Sequence, residues 1–235
     1  MADALMESPY VLESFFYIQD WQMEYLKSRD LFLLDSGAFS FINTGKVVDW
    51  DMFLDRYVAF IKLHNIKYYF ELDIDQIIGV KETRKLRDRL EDQVGWKSIP
   101  VWHTIRGLDE WEVLCKNYDY VCTSLSGFTD TSRWFRKNKH KPLHAFLDIA
   151  QKHNAKVHGL GFTAIPKLKI HNRLYSIDST SWLMGARKGQ FNLFVNGEIK
   201  NTTVPSDKRV ESLEKIDRHN FAEWRKFQKY AEKYL

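Results

Sequence analysis

Residues 67–105 read KYYFELDIDQIIGVKETRKLRDRLEDQVGWKSIPVWHTI. Lys67–Asp75 alternates like a strand, Lys81–Gln93 has the spacing of a charged amphipathic helix, and Ile99–Ile105 is again strand-like. Strand, helix and strand in so short a span form a βαβ unit, whose strands lie parallel in one sheet. The same rhythm extends both ways from this unit. Upstream, Val11–Ile18 reads as a strand and Asp20–Arg29 as a helix. Leu31–Leu34 is a short apolar strand, and Trp50–His64 places Phe53, Leu54, Tyr57, Phe60 and Ile61 at helical spacing. Downstream come a helix at Leu108–Asn117, a strand at Tyr120–Leu125, a helix at His144–His153 and a strand at Lys156–Phe162. A short helix at Pro166–His171, strands at Leu174–Ile177 and Asn192–Val195, and a final helix at His219–Tyr234 complete the reading, with Asn192–Val195 expected to close the sheet.

About seven or eight strands, most followed by a helix, predict an α/β fold: a compact (β/α)8 barrel, which usually needs ~250 residues. No repeat, low-complexity stretch or Pro/Gly/Ser-rich linker divides the chain, so residues 1–235 are expected to form one domain. An open doubly wound sheet is the alternative, weakened by the lack of a G-x-G-x-x-G after the first strand.

Composition narrows the function. The chain has 235 residues, 44% apolar and 28% charged, with two cysteines. That excludes a disulfide-stapled mini-protein and a disordered tail. No apolar run approaches the ~18 residues of a membrane span, and the N-terminus lacks a basic signal-peptide region, so a cytoplasmic location is expected. Cys115 and Cys122 form no CxxC pair and suit a reducing compartment. With 35 basic and 31 acidic residues the net charge is +4, which permits a nucleic-acid partner. Aromatics at 15%, including eight Trp, serve the core and could also stack on bases.

In a parallel barrel the chemistry sits at the C-terminal strand ends. The polar residues expected there are Asp35, Ser36 and Gly37; Glu71, Asp73 and Asp75; Trp102 and His103; Ser124, Ser126 and Gly127; His158, Gly159, Leu160 and Gly161; and Asp178–Ser181. Each has an ordinary structural reading too. Asp35 and Asp178 suit helix caps. One of Glu71, Asp73 and Asp75 could be neutralised by a buried arginine, and histidines placed like His103 and His158 are more often hydrogen-bonded core residues than bases. Gly159 and Gly161 relieve crowding or admit a ligand to the backbone. No H-x-H pair, zinc-type cysteine spacing or G-x-S-x-G elbow is present, so neither a metal site nor a nucleophilic serine is expected. Carboxylate chemistry at a sugar's anomeric carbon remains.

Three segments carry a resemblance. Asp35-Ser36-Gly37-Ala38-Phe39 resembles the D-S-G-G-F/Y motif of tRNA-guanine transglycosylases, and His158-Gly159-Leu160-Gly161 resembles their G-G-L-A-V-G segment. Asp178, followed by Arg187, Gly189 and Gln190, resembles their D-C-V-x-P-T-R-x-G-R-x-G-Q segment, and the motif order agrees. The family's zinc-bearing C-x-C-x-x-C insertion is absent, and Met184 stands where the first Arg of P-T-R would be. The chain therefore looks more like short, phage-type 7-deazaguanine DNA transglycosylases, which replace guanine in DNA by preQ0 or preQ1.

This resemblance implies a (β/α)8 barrel and a transferase that needs no cofactor. Its partners would be DNA, with tRNA less favoured, and a free 7-deazaguanine base; if phage-encoded, it would work in the host cytoplasm. Asp178 would be the nucleophile and Asp35 the general acid/base. Asp73, or Asp75, would bind the purine edge. Ser36, Gly37, His103, His158, Gly159, Leu160, Gly161 and Arg187 would line the substrate, with Phe39 or Trp102 stacking on the base.

Basic clusters supply the partner side. Arg84, Lys85, Arg87 and Arg89 share one helix and read equally as a solvated face. Arg133, Arg136, Lys137, Lys139, His140 and Lys141 interleave with Trp134 and Phe135, and Lys167, Lys169, His171 and Arg173 follow the sixth strand. These two runs, with Lys188, are the expected phosphate contacts.

Overall fold

The computed structural model describes residues 8–41, 48–124, 141–161, 173–187, 189–203 and 213–233. The chain divides into two compact units. One comprises residues 9–123 and 149–156; the other comprises residues 1–8, 124–148 and 157–235.

The first unit is a parallel series. β1 (Tyr10–Ser14) lies parallel to β2 (Leu31–Asp35), with Ser14 opposite Asp35. Leu34 makes a parallel bridge to Tyr69, and Phe70 makes one to Ile99. β3 (Val101–Trp102) then runs parallel to β4 (Tyr120–Ser124), pairing Trp102 with Thr123. The segments thus add in chain order, as successive βαβ units require.

Between β1 and β2 the expected helix is reduced to a 3-10 turn and the single-turn α1 (Met23–Leu26). α2 (Trp50–His64) starts at Asp49, whose side chain accepts from the Met52 amide at 3.0 Å. It ends at Asn65, which takes a left-handed conformation. Its buried face is Phe53, Leu54, Tyr57, Val58 and Ile61, the expected spacing save that Val58 replaces Phe60. The strand expected over Lys67–Asp75 is only bridged at Tyr69 and Phe70. Ile74 leaves the extended region (φ −128°, ψ 17°), and Asp75 opens the short α3 (Asp75–Ile78). α4 (Val80–Val94) and α5 (Gly107–Asn117) follow. α4 buries Thr83, Arg87, Leu90, Glu91 and Val94 at three- and four-residue steps.

The second unit holds most of α6 (Lys141–Lys152), and β5 (Lys156–Leu160) beside β6 (Ser176–Ile177), parallel, with His158 opposite Ser176. After α7 (Ser181–Arg187), β7 (Gln190–Val195) pairs antiparallel with β8 (Glu198–Thr203). The expectation that Asn192–Val195 closes a parallel sheet is therefore corrected. Asn196 (φ 52°) and Gly197 (φ 85°) make a two-residue turn with both φ values positive, and that turn folds the chain back as a hairpin. α8 (Leu213–Ala231) packs on the hairpin and on α7. Asn220 accepts from the Asn192 amide at 2.7 Å and donates to the Gln190 and Trp182 carbonyls, tying the three elements together.

The protein is thus mixed α/β with parallel sheet segments. Among the described residues these segments are short and no closed barrel is formed. No described helix is long and apolar enough to cross a membrane.

Candidate functional site

The carboxylates of residues 71, 73 and 75 lie in the first unit and are enclosed. Glu71 has no exposed surface, and Asp73 and Asp75 retain 6% and 1%. Burying three negative charges requires compensation. Arg106, whose side chain is fully buried, donates to Glu71 at 2.8 Å and to Asp75 at 2.6 Å. Glu71 also accepts from the Val101 amide at 2.6 Å, which fixes it to β3. Arg87, from α4, faces the other Glu71 oxygen at 3.7 Å.

His103 stands between the remaining two acids. Its Nδ1 lies 3.0 Å and 3.1 Å from the Asp75 oxygens. Its Nε2 lies 3.2 Å from Asp73 Oδ1, an ion-pair contact whose angle falls outside hydrogen-bond geometry. A ring with a carboxylate at each nitrogen favours the imidazolium, since only that form carries both N–H groups. Burial lowers the His103 pKa, but the Asp75 bond and the charges of Asp73 and Asp75 outweigh it and raise the group above its usual value. Asp73 is pushed up to about 6, chiefly by burial, with His103 pulling against it. Burial also pushes Asp75 upward, but His103 and Arg106 bring it below the ordinary carboxylate range.

Asp73, Asp75 and His103 offer ligand atoms within 4.8 Å of one another, as a metal would need. The charges favour a proton instead. Glu71, Asp73 and Asp75 oppose Arg87 and Arg106, and one proton on His103 completes the balance. The guanidinium 2.6 Å from Asp75 would also repel a divalent ion.

Asp35 ends β2, half-buried, and its carbonyl accepts from the Phe15 amide at 2.8 Å. Its charge lies close enough to Tyr57 to add to burial in raising that phenol's pKa. Ser36 is fully buried, and its hydroxyl accepts from the Ala38 amide at 3.3 Å. Gly37 has φ 71°, and an added Cβ would lie 2.6 Å from Phe16 Cβ, so the turn after Asp35 admits only glycine. Trp102 is not a stacking surface. It is 2% exposed, donates to the Gly107 carbonyl at 2.7 Å and packs edge-on against Trp111.

In the second unit Asp178 follows β6, and its side chain is 17% exposed. Its Oδ1 accepts from the Gly161 amide at 2.7 Å and faces His158 Nε2 at 3.3 Å. His158 Nδ1 lies 2.5 Å from Ser176 Oγ. A carboxylate oxygen accepts, so Nε2 donates to Asp178. His158 is 1% exposed, so the structure places it behind Asp178 rather than on an open surface. Gly159 is buried opposite Ile177, Leu160 ends the strand, and Gly161 follows it in a turn. Among the described residues Asp178 Oδ2 has no hydrogen-bond partner.

The structure therefore gathers Glu71, Asp73, Asp75 and His103 into one cluster, and His158, Gly161 and Asp178 into another. Sequence reasoning missed Arg106 and Ser176, which hold these clusters from behind. The basic cluster expected on α4 is taken up by nearby acids. Arg84 pairs with Glu110, Lys85 with Glu82, and Arg89 with Asp51 and Asp55. Arg173 pairs with Asp148 at 2.5 Å and reaches His144. Arg133, Arg136, Lys137, Lys139, Lys167, Lys169 and Lys188, with the helix expected at Pro166–His171, lie outside the described residues, as do the side chains of Phe39 and Arg187.

Comparison with known proteins finds no matching family model, no matching curated protein and no matching solved structure.

Proposed function

We propose that this chain exchanges guanine for a 7-deazaguanine in a polynucleotide, with DNA favoured, on a (β/α)8 barrel lacking the zinc-bearing insertion. The seating of Asp178 carries this reading. One carboxylate oxygen is held by the Gly161 amide and His158, which leaves the other for attack. In the reaction Asp178 Oδ2 attacks C1′, and the bond to purine N9 breaks with its electron pair leaving on the base. Asp35 gives that base a proton and later takes one from N9 of the incoming 7-deazaguanine. The incoming nitrogen then attacks C1′ and frees Asp178. A carboxylate suits this task because the sugar becomes cationic as the bond breaks, and the charge is first stabilised and then trapped. A base inside a duplex must be extruded or already single-stranded to reach the site.

The test is mass spectrometry of nucleosides after incubating DNA with the protein and 7-deazaguanine. The expected products are a 7-deazaguanine nucleoside and free guanine. Asp178→Ala abolishes exchange while DNA binding survives, and Asp35→Asn slows exchange about 10²–10⁴-fold. Abasic product without added base would make the enzyme a base-releasing glycosylase. Exchange on tRNA alone would change the substrate. Absence of any denaturation-stable protein–DNA adduct, with binding intact, would leave a non-catalytic nucleic-acid-binding protein.

A further inference from the structure

We propose that His103 is a positioning residue for base recognition: its imidazolium holds Asp73 Oδ1 and keeps that carboxylate ionised, so that the second oxygen accepts from the N–H edge of a guanine-type base. The inference rests on the reading of the site given above, and it adds a specificity device that the three sequence motifs do not contain.

The geometry begins with Arg106. Pinned to Glu71 and Asp75, it sets Asp75 as a fixed acceptor. Asp75 in turn orients the ring of His103 through the hydrogen bond between Nδ1 and Asp75 Oδ2, at 3.1 Å. The opposite nitrogen is then presented to Asp73 at 3.2 Å. Asp73 Oδ1 is enclosed, and the side chain as a whole retains 7% exposure, so Oδ2 is the oxygen able to meet a ligand. Among the described residues the charged groups facing Asp73 are Glu71 on its own segment, Asp75 at the start of α3, His103 and Arg106 from the segment before α5, and Arg87 behind Glu71 from α4. Of these, His103 is the nearest cation to Asp73, at 3.2 Å.

The chemistry follows from donor and acceptor counts. N1–H and the 2-amino group of a guanine-type base are both donors and require an acceptor. An ionised Asp73 supplies it. A protonated Asp73 presents its own O–H to a donor, and a buried donor left unmatched weakens binding. Burial lifts the Asp73 carboxyl to about 6, and His103 opposes that lift. Base affinity is therefore constant near neutrality and falls as pH drops through about 6. Without the imidazolium, Asp73 keeps its proton to a higher pH, and the fall begins earlier.

The experiment measures 7-deazaguanine binding to the full chain by calorimetry across this pH range. In the unaltered protein the dissociation constant should rise by nearly tenfold per pH unit below about 6, as one linked proton requires. His103→Gln keeps a hydrogen-bonding group of similar reach without the charge, and should move the break upward by about one pH unit. Asp73→Asn should bind weakly at every pH, with no break. A companion NMR titration of the His103 ring needs no ligand: Asp73→Asn should lower its midpoint, and this readout stands even if His103→Gln fails to fold. Binding with an unmoved break in His103→Gln, or an unmoved His103 midpoint in Asp73→Asn, overturns the proposal alone. Failure of the unaltered protein to bind the base at any pH overturns the purine reading and the proposal together.

Discussion

Arg106 exposes no side-chain surface, and its guanidinium bridges Glu71 and Asp75, which expose none either. Removing one partner from such a group strands the others without water or counter-charge. Arg106→Met should therefore cost about 3–5 kcal/mol in chemical unfolding. Arg89 is the contrast. It also meets two carboxylates, Asp51 and Asp55, but these are 73% and 62% exposed, and water screens the pairs. Arg89→Ala should cost under about 1 kcal/mol in the same measurement. Equal losses in the two variants would mean that burial does not set the value of these pairs. Sequence reading reached only half of this arrangement. The alternation of Glu71, Asp73 and Asp75 was legible because it is local, as was the expectation that an arginine neutralises one of them. Which arginine was not legible. Arg106 sits 35 residues from Glu71 and differs in no local way from the surface cations of α4.

Among the elements, α2 is fastened to the strands by one hydroxyl. Tyr57 is fully buried, and its oxygen lies 3.1 Å from the Leu34 carbonyl and 3.0 Å from the Phe70 carbonyl. Leu34 O also accepts from the Phe70 amide, so the phenol caps the narrow bridge between β2 and the segment at Phe70. Tyr57→Phe keeps the ring and removes only this bond. It should cost about 1–2 kcal/mol, read as a lower unfolding midpoint with an unchanged denaturant slope. An unchanged midpoint would mean the bridge holds without the phenol. The helices were the more legible elements, since the period of α2 and α4 is written along each face. The strands were less so. Lys67–Asp75 carries a strand pattern, but its last residues turn away so that Asp73 and Asp75 can meet His103. β8 escaped notice because Glu198–Thr203 is polar, although the Asn196-Gly197 pair before it is a strong short-range hairpin signal.

For the molecule as a whole, a net charge of +4 is too small to bind a polyanion by itself, so the placement of free cations decides. Four of the five cations of α4, Arg84, Lys85, Arg87 and Arg89, face carboxylates within their own unit. Neutralising these acids is their first task, and a phosphate would have to compete for them. The run from Arg133 to Lys141 carries no acid at all among its residues and interleaves Trp134 and Phe135 with the cations. That pattern suits a backbone track with stacking faces. Phosphate contacts release counterions, so each one adds about 0.7–0.9 to the slope of log affinity against log salt. Replacing Lys137, Lys139 and Lys141 together by Gln should lower that slope by up to about 2–3, and the loss of affinity should be greatest at low salt. Arg89→Ala, which removes a cation already paired, should leave the slope unchanged. Parallel salt plots for the triple variant and the unaltered protein would place the phosphate track on another surface.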